Sequence, residues 1–387
     1  MARFSRRALL AGAVASACTR KLASRYQGWL FVASGVEKAV AVANLASFQR
    51  TLTIPLPHAP EQLLYSENRV FATCPEGRAL VEIDAAALRL SGRIGLPGRP
   101  VAARLSRLAD GPLSAIVLTD EPGALLIVDL EKRKVTGRVA LKASPSDLDL
   151  ARPDVAAGDK SRLAAVSIPS RNSILRVSLP DLKIERATDA GVPCGPLRFR
   201  RDGKTILAGA ATEREIVTID GASGDLVARL PLPIVPSRFC FNADGGQMFV
   251  TGSGGDVVAI VSPFQNEVYE TILAGRTPCA MAVSDRRNLL FVTNIESGDL
   301  TILDIETRSV SATVHVGENP GDVLLTPDGE YALAIDRKSG NVSVVRVTTV
   351  INPPNSSLAA RVITKPLFTV FPTAPEARSA IVVPFRT

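Results

Sequence analysis

The sequence predicts an all-β chain in which a four-stranded unit is repeated and closed into a ring. Three observations carry that expectation. Short apolar runs alternate with turn residues along almost all of the 387 residues, as in LLFVTNIESGDLTILD at 289–304. In the C-terminal half these runs keep a fixed period, with Leu207, Phe249, Phe291 and Leu333 at steps of 42 residues. The first and last runs are out of phase by one strand, which is how a ring closes without leaving an open edge.

The second strand of each unit is the clearest element. It recurs as WLFVAS from Trp29, RVFATC from Arg69, LSAIVL from Leu113, RLAAVS from Arg162, TILAGA from Thr205, QMFVTG from Gln247, LLFVTN from Leu289 and YALAID from Tyr331. A third strand follows each one, at AVAVAN from Ala39, ALVEID from Ala79, LLIVDL from Leu125, ILRVSL from Ile174, EIVTID from Glu215, VVAIVS from Val257, LTILDI from Leu300 and VSVVRV from Val342. β-Branched content and alternation favour strands over helices here. First strands end at tight Asp-Gly turns, Asp202-Gly203, Asp244-Gly245 and Asp328-Gly329, with Arg286-Arg287 breaking the series once. Pro236, Pro278 and Pro320 keep the same step, and SATVHV at 311–316 supplies an outer strand. The run SAIVVPF at 379–385 reads as the first strand that completes the N-terminal sheet. INPPNSSLAARV at 351–362 is an insertion. Units of this size closed on themselves describe a single β-propeller over residues 28–387, with eight blades expected and seven as the alternative if one looser unit fails to form.

With LFVTN, MFVTG, the LTILDIETRSV strand and GENPGDVLLTPDG in view, the chain resembles the YVTN-type (YncE-like) β-propeller family of exported bacterial proteins. The resemblance spans about residues 28 to 385 and is crisp from about 200 to 347. Phe249 and Phe291 stand where that family has tyrosine. Its Ile-Asp strand end is kept at Asp220 and Asp304 but becomes Ser262 and Arg346 elsewhere, which suits a turn-forming role. The resemblance implies a recognition scaffold and no single reaction. The Gly-His and Trp-Asp marks of WD repeats are absent, and one Trp excludes tryptophan-docked quinoprotein blades.

Arg3, Arg6 and Arg7 precede a short apolar stretch of small residues, Ala8 to Ala17, and then Cys18. Residues 1–17 therefore read as an export signal of the twin-arginine class, whose cargo crosses the membrane folded, with 18–27 as a linker. Cleavage after Ala17 leaves Cys18 first in the mature chain. That position suggests a lipid-anchored protein, with release as a soluble periplasmic protein as the alternative because Ala15 replaces the usual Leu. No run of about 18 apolar residues occurs, so a lipid at Cys18 is the one membrane attachment expected.

The formal charge of +7 falls to +4 without the three arginines of residues 1–17. No basic run with interleaved aromatics argues for nucleic acid. In an oxidising compartment Cys74, Cys194, Cys240 and Cys279 permit two disulfides in any of three pairings, whereas Cys240 in FCFNA also reads as a small buried hydrophobe. No C-x-x-C or haem-attachment motif appears, and no metal site is expected.

In such a ring the loops into the innermost strands and those between second and third strands share one mouth of the channel. The candidates there are His58 in LPHAP, Arg99 in PGRP, Arg238 in VPSRF, Arg276 in GRTP and Asn319 in GENP, together with Cys194, Glu318 and Glu376. Arg99, Arg238 and Arg276 converging would attract an anion, since guanidinium groups grip carboxylate or phosphate. The opposing reading is a solvated mixed-charge surface, which also covers Glu37, Glu76, Arg171, Glu213, Asp256, Glu296 and Arg337. Of the two histidines, His58 is the better ligand or base and His315, in ATVHV, reads as a partly buried strand residue. The expected function is a binding module for a protein, glycan or small molecule at this mouth, with no cofactor and without catalysis. A lactonase-type hydrolase and a propeller carrying a d1-type haem are the alternatives.

Overall fold

The computed structural model describes residues 25–108, 111–151, 163–351 and 366–385. They form eight antiparallel sheets of four strands each, so the eight-bladed expectation holds. The signal segment 1–17, Cys18 and residues 352–362 of the insertion lie outside the described residues.

Blade one contains β1 (Gly28–Ser34), β2 (Ala39–Asn44), β3 (Gln49–Pro55) and, innermost, β32 (Ala377–Pro384). β32 pairs along the whole of β1, from Gly28 opposite Pro384 to Ser34 opposite Ala377. The innermost strands of blades two to eight are β4 (Gln62–Ser66), β8 (Arg99–Arg107), β12 (Asp147–Leu150), β16 (Cys194–Phe199), β20 (Val235–Phe241), β24 (Pro278–Ser284) and β28 (Pro320–Leu325). Each touches the innermost strand on either side, and β32 touches both β28 and β4, so the ring is continuous. An aromatic group of Phe48, Tyr331, Phe368 and Phe371 packs the seam between blades eight and one.

The burial pattern explains the sequence pattern. Both faces of the middle strands are covered by neighbouring blades, so β25 (Leu289–Asn294) is buried throughout and β26 (Asp299–Asp304) at all but its ends. Such strands carry continuous apolar runs. The outermost β27 (Ser309–His315) buries only Val314, and the corresponding Ile54, Ile94, Leu230 and Ile272 are likewise the apolar anchors of their outer strands. His315 is therefore exposed, contrary to the sequence expectation, because it lies on the outermost edge.

Two motif residues of the repeat have clear structural roles. The threonine of FVT ties one blade to the next: Thr251 Oγ1 donates to the Cys279 carbonyl at 2.6 Å, Thr293 Oγ1 to Gly321 at 2.7 Å, and the equivalent Ser167 Oγ to Gly195 at 2.8 Å. The aspartate of the Ile-Asp strand end accepts from backbone N–H groups of the following turn, as Asp220 does from Ala222 and Ser223 and Asp304 from Thr307. Phe249 and Phe291 are fully buried, as suits wholly apolar rings between blades.

Cys74, Cys194, Cys240 and Cys279 are all free thiols, so neither of the two permitted disulfides forms. They sit on strands of four different blades: β5 (Arg69–Cys74), β16, β20 and β24. Burial pushes the Cys74, Cys194 and Cys240 thiols up to about 11, as expected for small packed hydrophobes. The short helix α1 (Val347–Ile351) after β30 (Asn341–Arg346) had no sequence signal.

Candidate functional site at one mouth of the channel

An innermost strand has a sheet neighbour on one side only, so its other edge presents unpaired N–H and C=O groups toward the channel. Polar side chains from the adjacent blade satisfy several of them. Ser379 Oγ accepts from Leu63 N at 3.1 Å, and Gln62 Oε1 accepts from Ala103 N at 3.0 Å. Asp147 and Asp149 accept from Leu197 N at 3.1 Å and Phe199 N at 2.8 Å. The same two carboxylates hold Arg104 at 3.5 and 3.7 Å, while Arg198 reaches Asp147 at 2.8 Å. Burial, and next the Arg198 charge, draw the Arg104 guanidinium below its ordinary value against the pull of the two aspartates. This half of the channel is a charge-balanced clamp joining blades three, four and five.

The opposite half is different. Five first strands carry a β-bulge just after their opening proline or cysteine, and in blades six to eight it falls between Pro236 and Arg238, Pro278 and Met281, and Pro320 and Val323. A bulge re-aims the side chains beside it. Here it presents Arg238, Cys279 and Asp322. Arg337, from the loop after β29 (Tyr331–Asp336), runs across Gly321, where a β-carbon would lie 2.4 Å from its Cγ. Its Nη2 then donates to Cys279 Sγ at 3.4 Å. Burial pushes the Asp322 carboxyl above its ordinary value, opposed by Arg238, Arg337 and the N–H of Ala380. Two guanidinium groups thus face one half-buried carboxyl and one thiol, a cationic excess confined to this cluster, while the surrounding loops also carry Asp256, Glu296, Glu318 and Glu376.

Of the residues singled out in the sequence, Arg238 belongs to this cluster. Arg99 is exposed at the start of β8 and lies 3.8 Å from Glu121. Arg276 is exposed and donates to the Glu296 carbonyl at 3.4 Å. Asn319 is held by its backbone, with its N–H on Asp336 at 2.7 Å and its carbonyl accepting from Arg337 N at 2.8 Å. His58 lies over Gly77, where a β-carbon would be 2.4 Å from its ring. No hydrogen bond or ion pair joins any two of these five among the described residues. Sequence reading passed over Arg104, Asp147, Asp149, Arg198 and Asp322, weighed Cys279 only as a disulfide partner, and set Arg337 among solvated loop residues. The signal was present: charged residues inside AARLSR, DLDL, LRFR and PGDV occupy strands that line a channel. Among the described residues no group of three or more His, Cys, Asp or Glu side chains is arranged to hold a metal ion.

No protein-family model matches the chain. Its sequence is 25% identical over 150 residues to the seven-bladed beta-propeller protein Rv1057 of Mycobacterium tuberculosis. That match covers 37% of this chain and only 38% of the relative. Among solved structures, the dihydro-heme d1 dehydrogenase NirN in complex with DHE superposes with a TM-score of 0.71 at 13% identity, covering 92% of this chain and 75% of that one. A functionally unknown protein from Desulfotomaculum acetoxidans superposes with a TM-score of 0.59 at 10% identity, covering 92% and 99%. At these identities the structural likenesses establish the propeller fold and nothing more specific.

Proposed function

We propose that the chain is an exported, YVTN-type propeller that acts as a binding module, taking an anionic ligand at the mouth where Arg238 and Arg337 lie. The observation that carries this reading is the cationic excess around Asp322 and Cys279, set in bulged strands that turn side chains toward the channel. In this reading Arg276 on its entry loop, Arg99 at the start of β8, His58 and Asn319 contribute to the same rim. A low-dielectric channel with guanidinium groups at its mouth concentrates carboxylate- or phosphate-bearing molecules. Export rests on the Arg6-Arg7 segment and lipid attachment on Cys18.

A second reading is a propeller that holds a d1-type haem, favoured by the near-complete superposition on NirN. Arg238 and Arg337 suit the carboxylates of such a macrocycle, and His58 is the candidate histidine for it, since His315 lies on an outer edge. The haem would supply redox chemistry, while these residues would bind and orient it.

Native mass spectrometry with an absorption spectrum, on protein recovered from the exported fraction of its host, separates the readings. A colourless anionic adduct in stoichiometric amount supports the binding module. A visible chromophore supports the second reading. A mature mass that retains residues 1–17 contradicts export.

A further inference from the structure

A second cavity flanks the channel mouth, in the cleft between blades seven and eight. Its volume is about 630 Å³, within the range of small-ligand sites. Its walls come from the end of β27, the loop 316–318, the turn after β29 and the outer strands β30 and β31 (Leu367–Pro372).

The lining combines three chemistries. Val316, Leu367 and Val370 form an apolar wall. Glu318 and Lys338 bring opposite charges, and neither side chain makes a hydrogen bond or ion pair among the described residues. Asp336 adds a carboxylate whose oxygens accept from the N–H groups of Asn319, Lys338 and Ser339 and from the Ser339 hydroxyl, so it is already satisfied by the protein. The shape depends on backbone freedom at Gly317, with φ of 148°, and at Gly298, with φ of 70°, where a β-carbon would strike the Gly317 carbonyl and approach the His315 ring.

A purely anionic ligand would meet Glu318 and a purely cationic one Lys338. Glu318 and Lys338 are exposed at the rim of the cleft, and a molecule carrying both charges and an apolar group satisfies every wall at once. We propose that this cleft binds a short zwitterionic peptide, its ammonium group on Glu318, its carboxylate on Lys338 and an apolar side chain against Val316, Leu367 and Val370. The volume exceeds that of a single amino acid and suits a di- or tripeptide.

The test is isothermal titration of the full mature protein with leucyl-leucine, its N-acetyl derivative and its C-terminal amide. The expected result is saturable binding of leucyl-leucine, weakened about tenfold or more by either modification, since each removes a charge-assisted contact. Glu318→Gln should erase the penalty for N-acetylation only, and Lys338→Met the penalty for amidation only. Arg238→Ala, which touches no wall of the cleft, should leave peptide binding unchanged, which keeps this site separate from the channel mouth. No saturable binding, or equal affinity for all three peptides, would overturn the proposal. So would an Arg238→Ala variant that loses the peptide.

Discussion

Replacing Thr293 by valine tests whether the repeat motif is an inter-blade fastening. Thr293 is fully buried in β25, donates to the Gly321 carbonyl of the next blade at 2.7 Å and accepts from Ala280 N at 3.2 Å. Valine keeps the shape and removes the hydroxyl, leaving a buried carbonyl without its donor, which costs about 1–3 kcal/mol. Unfolding entropy near 60 °C is about 2.1 cal/mol/K per residue, or roughly 0.8 kcal/mol/K for a chain of 387 residues. A cost of about 2 kcal/mol therefore lowers Tm by about 2.5 °C, provided the ring unfolds as one cooperative body. Differential scanning calorimetry at one scan rate should show this shift for Thr293→Val. Thr313→Val, on the exposed outer strand of the same blade, should show none. Equal Tm values for the two variants would refute the fastening role, leaving the threonine as a strand former only.

Further outcomes follow from the same contacts. Removing residues 377–387 takes β32 away from β1 and opens the ring, so the truncated chain should lose its cooperative transition and aggregate. Gly321→Ala places a β-carbon against Arg337, and the expected cost is about 1–3 kcal/mol in stability together with weaker ligand retention at the mouth. Alkylation of the denatured protein without reductant should add to all of Cys74, Cys194, Cys240 and Cys279. In the native state at pH 8 Cys74 and Cys194, buried with thiols pushed up to about 11, should stay unlabelled. Hydrogen bonds from turn N–H groups, Ser223 first, hold the Asp220 carboxyl below its ordinary value, and the N–H of Lys132 does the same for Asp129. Their folded values lie below the unfolded ones, so this stabilisation is complete above the unfolded value and is lost as pH falls through the folded value. Stability measured from pH 6 to pH 2 should therefore fall at the acid end, and less steeply in Asp220→Ala.

The ring was legible because its middle strands are buried on both faces and must be continuously apolar. WLFVAS, MFVTG and LLFVTN stand out for that reason, and the closing strand near residues 379–385 could be placed by phase alone. The channel was harder to read. Asp147 reaches Arg198 across 51 residues and Arg337 reaches Cys279 across 58, separations that no local pattern reports. First strands such as DLDL also break the apolar rule, since one edge faces the channel and takes charge from the next blade. The cysteines show a different limit: an even count says that pairing is permitted, and only the three-dimensional arrangement, in which all four thiols are free, shows that they do not pair.

The proposed binding function requires Arg238 and Arg337 to hold an anionic ligand at the channel mouth. Native mass spectrometry of the wild-type protein and of Arg238→Ala with Arg337→Ala, both purified from the exported fraction of the same host, tests it most directly. The expected result is an anionic adduct on the wild type that is missing from the variant, with the two proteins matching in circular dichroism. An adduct retained undiminished by the variant, or none on either folded protein, would contradict the claim.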